Sequence, residues 1–279
     1  MNRNQFSDRF RNNNLSQQEI DRQFRVAMEQ QEQARLFEAA VNRNVNLFHH
    51  GHGAGAIIGG DPNPNPPSQG SIVFNGSTSY LSIAPSSISK WMPTTGDFTV
   101  EWFQNQGAAG TTPRIFSIGG GTGAALAVSI ESGNVKLWSN GLVLSAAVSP
   151  LINVWNHIAV TRKNGVAQLF VAGSVGPTAS MPTNLGGTGA SQSLIIGWDG
   201  QTAGDYYNGY MTNFRWSNSA VYGGSGTYTV PTKALTVLPG ATGTKLLLLG
   251  GSSKTVSVDS TGINSIVDHN VTWSASQFF

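Results

Sequence analysis

The 279-residue chain contains no cysteine, which removes disulfide scaffolds, thiol nucleophiles and cysteine-ligated zinc or iron–sulfur centres together. Charge is scarce too, at 11% of residues against about 25% in an average soluble chain. Sixteen basic and fourteen acidic side chains leave a formal net charge of +2. No basic stripe is present to neutralise phosphates, so no nucleic-acid partner is expected. Long apolar runs are missing: even Leu246-Leu247-Leu248-Leu249 is far too short to cross a bilayer, and no membrane insertion is expected. The opening Met1-Asn2-Arg3-Asn4-Gln5 leads into polar and charged residues without the apolar stretch of a secretory signal, so the chain is expected to fold where it is made. What the chain does have is 34 glycines and 39% hydrophobic residues. Glycine supplies the positive-φ positions of tight connections, and this balance reads as a β protein with many turns.

The start of the chain differs in kind from the rest. Seven of the sixteen basic residues fall before residue 50, all of them arginine, together with six of the fourteen acids. Ser16-Gln17-Gln18-Glu19 is a capping box and predicts the start of a helix. Ile20, Phe24, Ala27, Gln31, Ala34, Glu38, Val41, Val45 and Phe48 follow at spacings of four and three, a heptad seam interrupted by Gln31 and Glu38. Such a helix is not stable alone and must bury Phe24, Phe37 and Phe48, either as a surface helix docked on a larger body or as a short coiled coil. Residues 1–48 are therefore expected to be a helical attachment or oligomerisation segment, with Ile20, Phe24, Ala27, Phe37, Val41 and Phe48 making the contact. Residues 49–69, glycine-rich and then carrying four prolines, read as a linker.

From Gly70 onward the pattern is strand, turn, strand. Alternation is visible in Ser71-Ile72-Val73-Phe74, Phe98-Thr99-Val100-Glu101-Trp102, Val135-Lys136-Leu137-Trp138, His157-Ile158-Ala159-Val160-Thr161 and Gln168-Leu169-Phe170-Val171. Asn75-Gly76, Ser132-Gly133, Asn140-Gly141 and Asn164-Gly165 mark hairpin turns between strands. No stretch of ten residues after position 90 keeps a helical period. The expected fold of residues 70–279 is mainly β, an antiparallel two-sheet jelly-roll sandwich. Trp102, Trp155 and Trp216, inside alternating strands, are expected in its core; Trp91, Trp138 and Trp273 are not assigned.

The same segments resemble, in order, the laminin-G-like and concanavalin A-like lectin/glucanase jelly rolls. Phe74-Asn75-Gly76-Ser77-Thr78-Ser79-Tyr80-Leu81 is similar to the opening strand pair, and Trp155-Asn156-His157-Ile158-Ala159-Val160-Thr161-Arg162 to the tryptophan-led strand of that family. Leu194-Ile195-Ile196-Gly197 and Tyr207-Asn208-Gly209-Tyr210-Met211-Thr212-Asn213-Phe214-Arg215-Trp216 resemble the closing strands, the second expected at an edge. The tail from Ala220-Val221-Tyr222 to Gly243-Thr244-Lys245-Leu246-Leu247-Leu248 resembles the version found in bacteriophage and other viral structural proteins. Where relatives often carry an acid beside glycine this chain has Asn75 and Ala172, and where they often carry Asp-Glu it has Thr212-Asn213. Calcium, possible for the family, lacks its usual carboxylates here, and no cofactor is expected.

Glucanases on this fold need two carboxylates across the scissile bond, commonly in a Glu-x-Asp-x-x-Glu strand pattern that this chain lacks. Asp97 and Glu101 come nearest and read as a turn residue and a solvent-facing strand residue. His157 reads as a structural histidine and His269 as part of a terminal turn, so no Ser/His/Asp site is expected. The clusters Gly119-Gly120-Gly121-Thr122-Gly123 and Gly186-Gly187-Thr188-Gly189 lack the lysine of a phosphate loop and read as loops. No catalytic residue is expected, and a non-enzymatic binding role is.

A glycan site needs an aromatic plane beside hydroxyl partners. Trp198-Asp199-Gly200, with Asp205, Tyr206, Tyr207 and Asn208, is the best such cluster, in a loop after a strand. The resemblance then implies a virion structural protein, a tail fibre, capsid fibre or decoration protein made in the host cytoplasm. It would attach to other virion proteins by its N-terminal segment and display a lectin-like domain to a host surface glycan. Alternatives are a glycoside hydrolase or lyase on the same fold and a bacterial surface adhesin module. A homo-oligomer is expected, a trimer by preference, and three copies of His50 and His52 would supply six nitrogens to a first-row transition metal, unless the glycines simply end the helix there.

Overall fold

The computed structural model describes residues 70–107, 112–147, 152–189, 191–202, 204–223, 228–253, 256–276 and 278. The expected helix with Ile20, Phe24, Ala27, Phe37, Val41 and Phe48, the linker, and His50 and His52 lie outside the described residues.

In chain order the described strands are β1 (Ser71–Asn75), β2 (Tyr80–Ile83), β3 (Phe98–Gln106), β4 (Arg114–Ile118), β5 (Leu126–Glu131), β6 (Asn134–Trp138), β7 (Leu142–Ala147), β8 (Trp155–Lys163), β9 (Val166–Val171), β10 (Ser174–Ser180), β11 (Leu194–Ile196), β12 (Asn208–Ser217), β13 (Thr244–Leu248), β14 (Ile266–His269) and β15 (Thr272–Ser274). They form two antiparallel sheets. Sheet I runs β10-β9-β8-β3-β12-β1-β15, with β13 also on β12; sheet II runs β14-β2-β11-β4-β5-β6-β7. Single helical turns α1 (Pro85–Ile88) and α2 (Leu185–Thr188) sit in connections. The glycine cluster at 186–189 thus belongs partly to a helical turn, capped by Asn184 Oδ1 accepting from the Gly187 N–H, rather than to a plain loop.

Period-two alternation decides the core. Trp102 and Trp216 are fully buried between the sheets, where Phe116 meets Trp102 edge-on at 6.0 Å and Phe214 at 5.7 Å. Trp91 joins them at 5.4 Å from Trp216. Trp155 does not: it is half-buried on the outer face of sheet I, near Tyr210 and Phe278. Its strand alternates correctly, but a tryptophan opening β8 has the opposite parity from Asn156, Ile158 and Val160.

Two other expectations need correction. Asn75-Gly76 is not a hairpin turn, because β1 pairs with β12 and β15 in sheet I while β2 pairs with β11 and β14 in sheet II. The Asn75 Oδ1 accepts from the N–H groups of Ser77, Thr78 and Ser79 and so closes the crossing between sheets. The second closing segment is not an edge: β12 lies between β3 on one side and β1 and β13 on the other.

Sheet I carries a further layer. Residues 219–223 and 228–237 run over its outer face, where Tyr222, Tyr228, Val230, Leu235 and Val237 cover Phe103, Ala159, Phe170 and Leu247. Under this strap Glu101 is fully buried, not solvent-facing as its alternation with Trp102 predicts. Its carboxylate accepts from Arg215, from His157 Nε2 at 3.1 Å and from the Tyr222 hydroxyl at 2.7 Å.

Candidate functional site

The loop after β11 is built on Gly197. Its φ is +91°, and a Cβ there would lie 2.4 Å from the Phe74 ring, so only glycine fits. The Gly197 N–H donates to the Ile115 carbonyl, and its own carbonyl accepts from the Tyr207 N–H, both at 2.8 Å. These bonds pinch the loop at its base. Tyr207 then points inward, fully buried, 5.7 Å from Phe74 and donating its hydroxyl to the Tyr210 carbonyl. It is a core residue and not a glycan contact, and burial pushes its phenol well up. Asn208, the first residue of β12, pairs with Asn75, and its side chain lies against Gly76 and Gly107.

One step outward from that base, Trp198 and Tyr206 lie parallel, 3° apart in plane and 5.0 Å between ring centres. Both are half-buried. The Trp198 indole N–H donates to the Thr202 carbonyl at 2.9 Å, which anchors the loop. Two further rings complete the cluster, neither of them adjacent in sequence to Trp198. Tyr80 packs on Trp198 at 5.0 Å, and His269 stacks on Tyr80 at 4.0 Å, 10° from parallel. His269 is the last residue of β14 rather than part of a turn, and Tyr80 opens β2 directly opposite it. That cross-strand register between residues 189 positions apart was the missing signal.

Asp199 and Asp205, expected as glycan contacts, are instead closed off from solvent. Asp199 is buried and accepts through Oδ1 from the N–H groups of Gln201 and Thr202, while its Oδ2 has no hydrogen-bond partner. Asp205 is buried as well, accepts from the Thr112 hydroxyl, and lies 3.9 Å from Arg114 Nε. The Tyr206 phenol is raised by loss of solvent and then by Tyr80 and the Asp199 carboxylate. The partly exposed parallel rings present an apolar surface of the kind a sugar ring stacks on, while both carboxylates are closed off from solvent beside them.

The carboxylates of the hydrolytic alternative do not meet across a cleft. Asp97 accepts from the Asn164 N–H at 2.8 Å, and Glu101 is closed off beneath the strap. Its burial raises the carboxyl's pKa, but His157, Arg215 and Tyr222 together hold it below the usual carboxylate value. The positions that would carry calcium fit it poorly. Asn75 Oδ1 is spent on three N–H groups, and Asn213 Oδ1 accepts from the Leu235 N–H at 2.7 Å. Among the described residues no three His, Cys, Asp or Glu side chains are grouped to hold a metal ion. No described helix is long and apolar enough to cross a membrane.

The two antiparallel sheets pack as a jelly-roll β-sandwich with an aromatic loop cluster after β11. The profile of the concanavalin A-like lectin/glucanases superfamily matches residues 75–223, more than half of the chain, and the chain belongs to that superfamily. Among solved structures it is similar to a Bacteroides ovatus protein provisionally named carbohydrate-binding. The TM-score is 0.55 at 17% identity, over 74% of this chain and 60% of that one. It thus spans less than two thirds of that protein's length. It is also similar to the CBM40 domain of the Ruminococcus gnavus IT-sialidase, at TM-score 0.46 and 13% identity, over 55% of this chain and 92% of that one. A third is domain 4 of the Geobacillus stearothermophilus arabinanase AbnA in complex with arabinotriose, at TM-score 0.42 and 17% identity, over 60% and 78%. No curated relative matches the chain.

Proposed function

We propose that the protein binds a surface glycan of a host cell through the Trp198–Tyr206–Tyr80 ring cluster and does so without catalysis. The parallel, half-exposed Trp198–Tyr206 pair beside Asp199 carries this reading. The pair stays partly open to solvent on a loop, where binding residues concentrate, and a sugar ring stacks on such a surface. Among the described residues Asp97 and Glu101, the nearest to a hydrolytic pair, do not meet across a cleft, which favours binding over hydrolysis.

We further propose that this module is part of a virus particle, held to other virion proteins by residues 1–48 and self-associated through the Ile20–Phe48 seam, a trimer by preference. The resemblance of residues 220–248 to viral structural proteins and the separate arginine-rich start of the chain support this setting. Detection of the chain in purified particles tests the setting; its absence from them would remove it. The binding reading is tested by applying the full chain to an array of immobilised glycans beside Tyr206→Ala. The expected result is capture by at least one glycan, weakened about tenfold in the variant. Equal capture by both proteins would place the site elsewhere.

A further inference from the structure

The outer face of sheet II extends past the ring cluster. Antiparallel register places Lys136 of β6, Ser129 of β5 and Arg114 of β4 in one row. The Gly197–Ile115 hydrogen bond puts Trp198 at the level of Arg114, next along that row. Trp138, two residues from Lys136 on the same face of β6, leans back toward the row, its indole N–H donating to the Ser129 hydroxyl at 2.8 Å. The Arg114 guanidinium lies 5.1 Å from the centre of the Trp138 ring. Since Arg114 is buried and Trp138 is half-exposed, the cation underlies the indole and supports it from within. Trp138 is thus a second supported aromatic surface on the sheet face that carries Trp198.

A strip of sheet II separates the two tryptophans. Strand β6 is three strand spacings from β11, or about 14 Å. Between them Ala127, Ser129, Ser117 and Arg114 face outward and are all buried, covered in part by Trp138 itself, which lies over Ser129 and Arg114. Charge on the strip is paired. Lys136 lies 2.7 Å from Glu131 Oε2, and Arg114 is 3.9 Å from both Glu131 and Asp205. With Asp199 added, the acids outnumber the bases there by three to two.

We infer that Trp138 forms a second stacking subsite, and that the ligand is an uncharged oligosaccharide of several sugar units lying across β6, β5, β4 and β11 from Trp138 to Trp198. This rests on the glycan-binding reading and adds to it the length and charge of the ligand. A lone sugar ring cannot reach both surfaces, and a uronic or sialic acid chain would meet the surplus carboxylate.

The test applies the full chain to immobilised oligosaccharides of one to six units, neutral in one series and sialylated or uronic in another. Capture should strengthen with length in the neutral series. Trp138→Ala should lose that gain, about tenfold for the value of one stacked ring, whereas Trp198→Ala should weaken capture at every length. In the unsubstituted chain a bound neutral hexasaccharide should protect the Trp138 indole from N-bromosuccinimide oxidation, read by mass spectrometry, which needs no variant to fold. Length-independent capture, or a Trp138 that is oxidised equally with and without the hexasaccharide, overturns the second subsite and leaves the Trp198 cluster standing. Preference for the acidic series overturns the ligand class. Capture of no glycan in either series overturns the underlying reading as well.

Discussion

Arg215 donates two hydrogen bonds to a single oxygen of Glu101, from Nε at 2.9 Å and from Nη2 at 2.5 Å, on a sheet face that solvent does not reach. The other Glu101 oxygen is held by His157 and Tyr222. Arg215 also donates to the Thr236 carbonyl at 2.8 Å, so the ion pair ties the 228–237 part of the strap to sheet I. Glu101→Ala leaves a buried, uncompensated guanidinium and should cost about 3–5 kcal/mol of unfolding free energy. Glu101→Gln, which keeps the shape and an acceptor, should cost less. Denaturant titration of both variants checks the order, and equal, small losses would show that the strap holds without the ion pair.

The same cluster sets the response to acid. Burial is the largest influence on His157 and lowers its pKa against the pull of Glu101. Its Nδ1 has no partner, which matches a neutral ring with its proton on Nε2. A histidine whose folded pKa is depressed binds fewer protons folded than unfolded. Stability is therefore full above the ordinary histidine range and falls as pH drops through it toward the lowered value. Glu101, also depressed, adds a second loss below the ordinary carboxylate range. Denaturation midpoints should fall in these two stages, and His157→Gln should remove the upper one. A midpoint constant from neutral pH down to the carboxylate range would contradict the placement of His157.

The β9–β10 hairpin contains an avoidable strain. Ala172 holds φ +48° beside Gly173 at +84°, the pair of left-handed conformations of a type I′ turn. The Ser132-Gly133 and Asn164-Gly165 turns take the same form. Alanine pays about 1–2 kcal/mol for that conformation and asparagine less. Ala172→Asn should stabilise the domain by about 1 kcal/mol and Ala172→Val should destabilise it. Unchanged or lower stability in the asparagine variant would count against this turn geometry.

Trp198 and Tyr206 should separate in stability. Trp198 anchors the loop through Thr202 and packs on two rings, so Trp198→Ala should cost about 2 kcal/mol. Tyr206 has no hydrogen bond of that kind among the described contacts and should cost about half as much. Thermal or denaturant unfolding of the two variants measures the difference; a larger loss for Tyr206→Ala would reverse their roles.

The strands were legible in the sequence wherever alternation and turn chemistry agreed. Phe98 to Trp102 alternates cleanly, and Ser132-Gly133 and Asn164-Gly165 form the hairpins that their residue types require. Partition between sheets was not legible, because Asn75-Gly76 carries a hairpin signature while β1 finds its partner in β12, more than a hundred residues onward. Alternation likewise shows that one of Tyr206 and Tyr207 faces inward, but the Gly197 kink decides which. Glu101 was misread for a related reason: the strap that buries it has no period of its own. Tyr80 and His269 joined the candidate site through strand register alone, and nothing near either residue announces the other.

The account rests on sugar contact at the Trp198–Tyr206 pair, and the Trp198 indole N–H reports on it directly through its bond to Thr202. Nuclear magnetic resonance of the nitrogen-15-labelled chain, titrated with a glycan captured on the array, resolves the tryptophan indole signals individually. The expected result is a saturable shift of the Trp198 signal, with the signals of the buried Trp102 and Trp216 unmoved. Saturable binding that leaves Trp198 unmoved, or that moves Trp102 or Trp216 instead, would contradict the account.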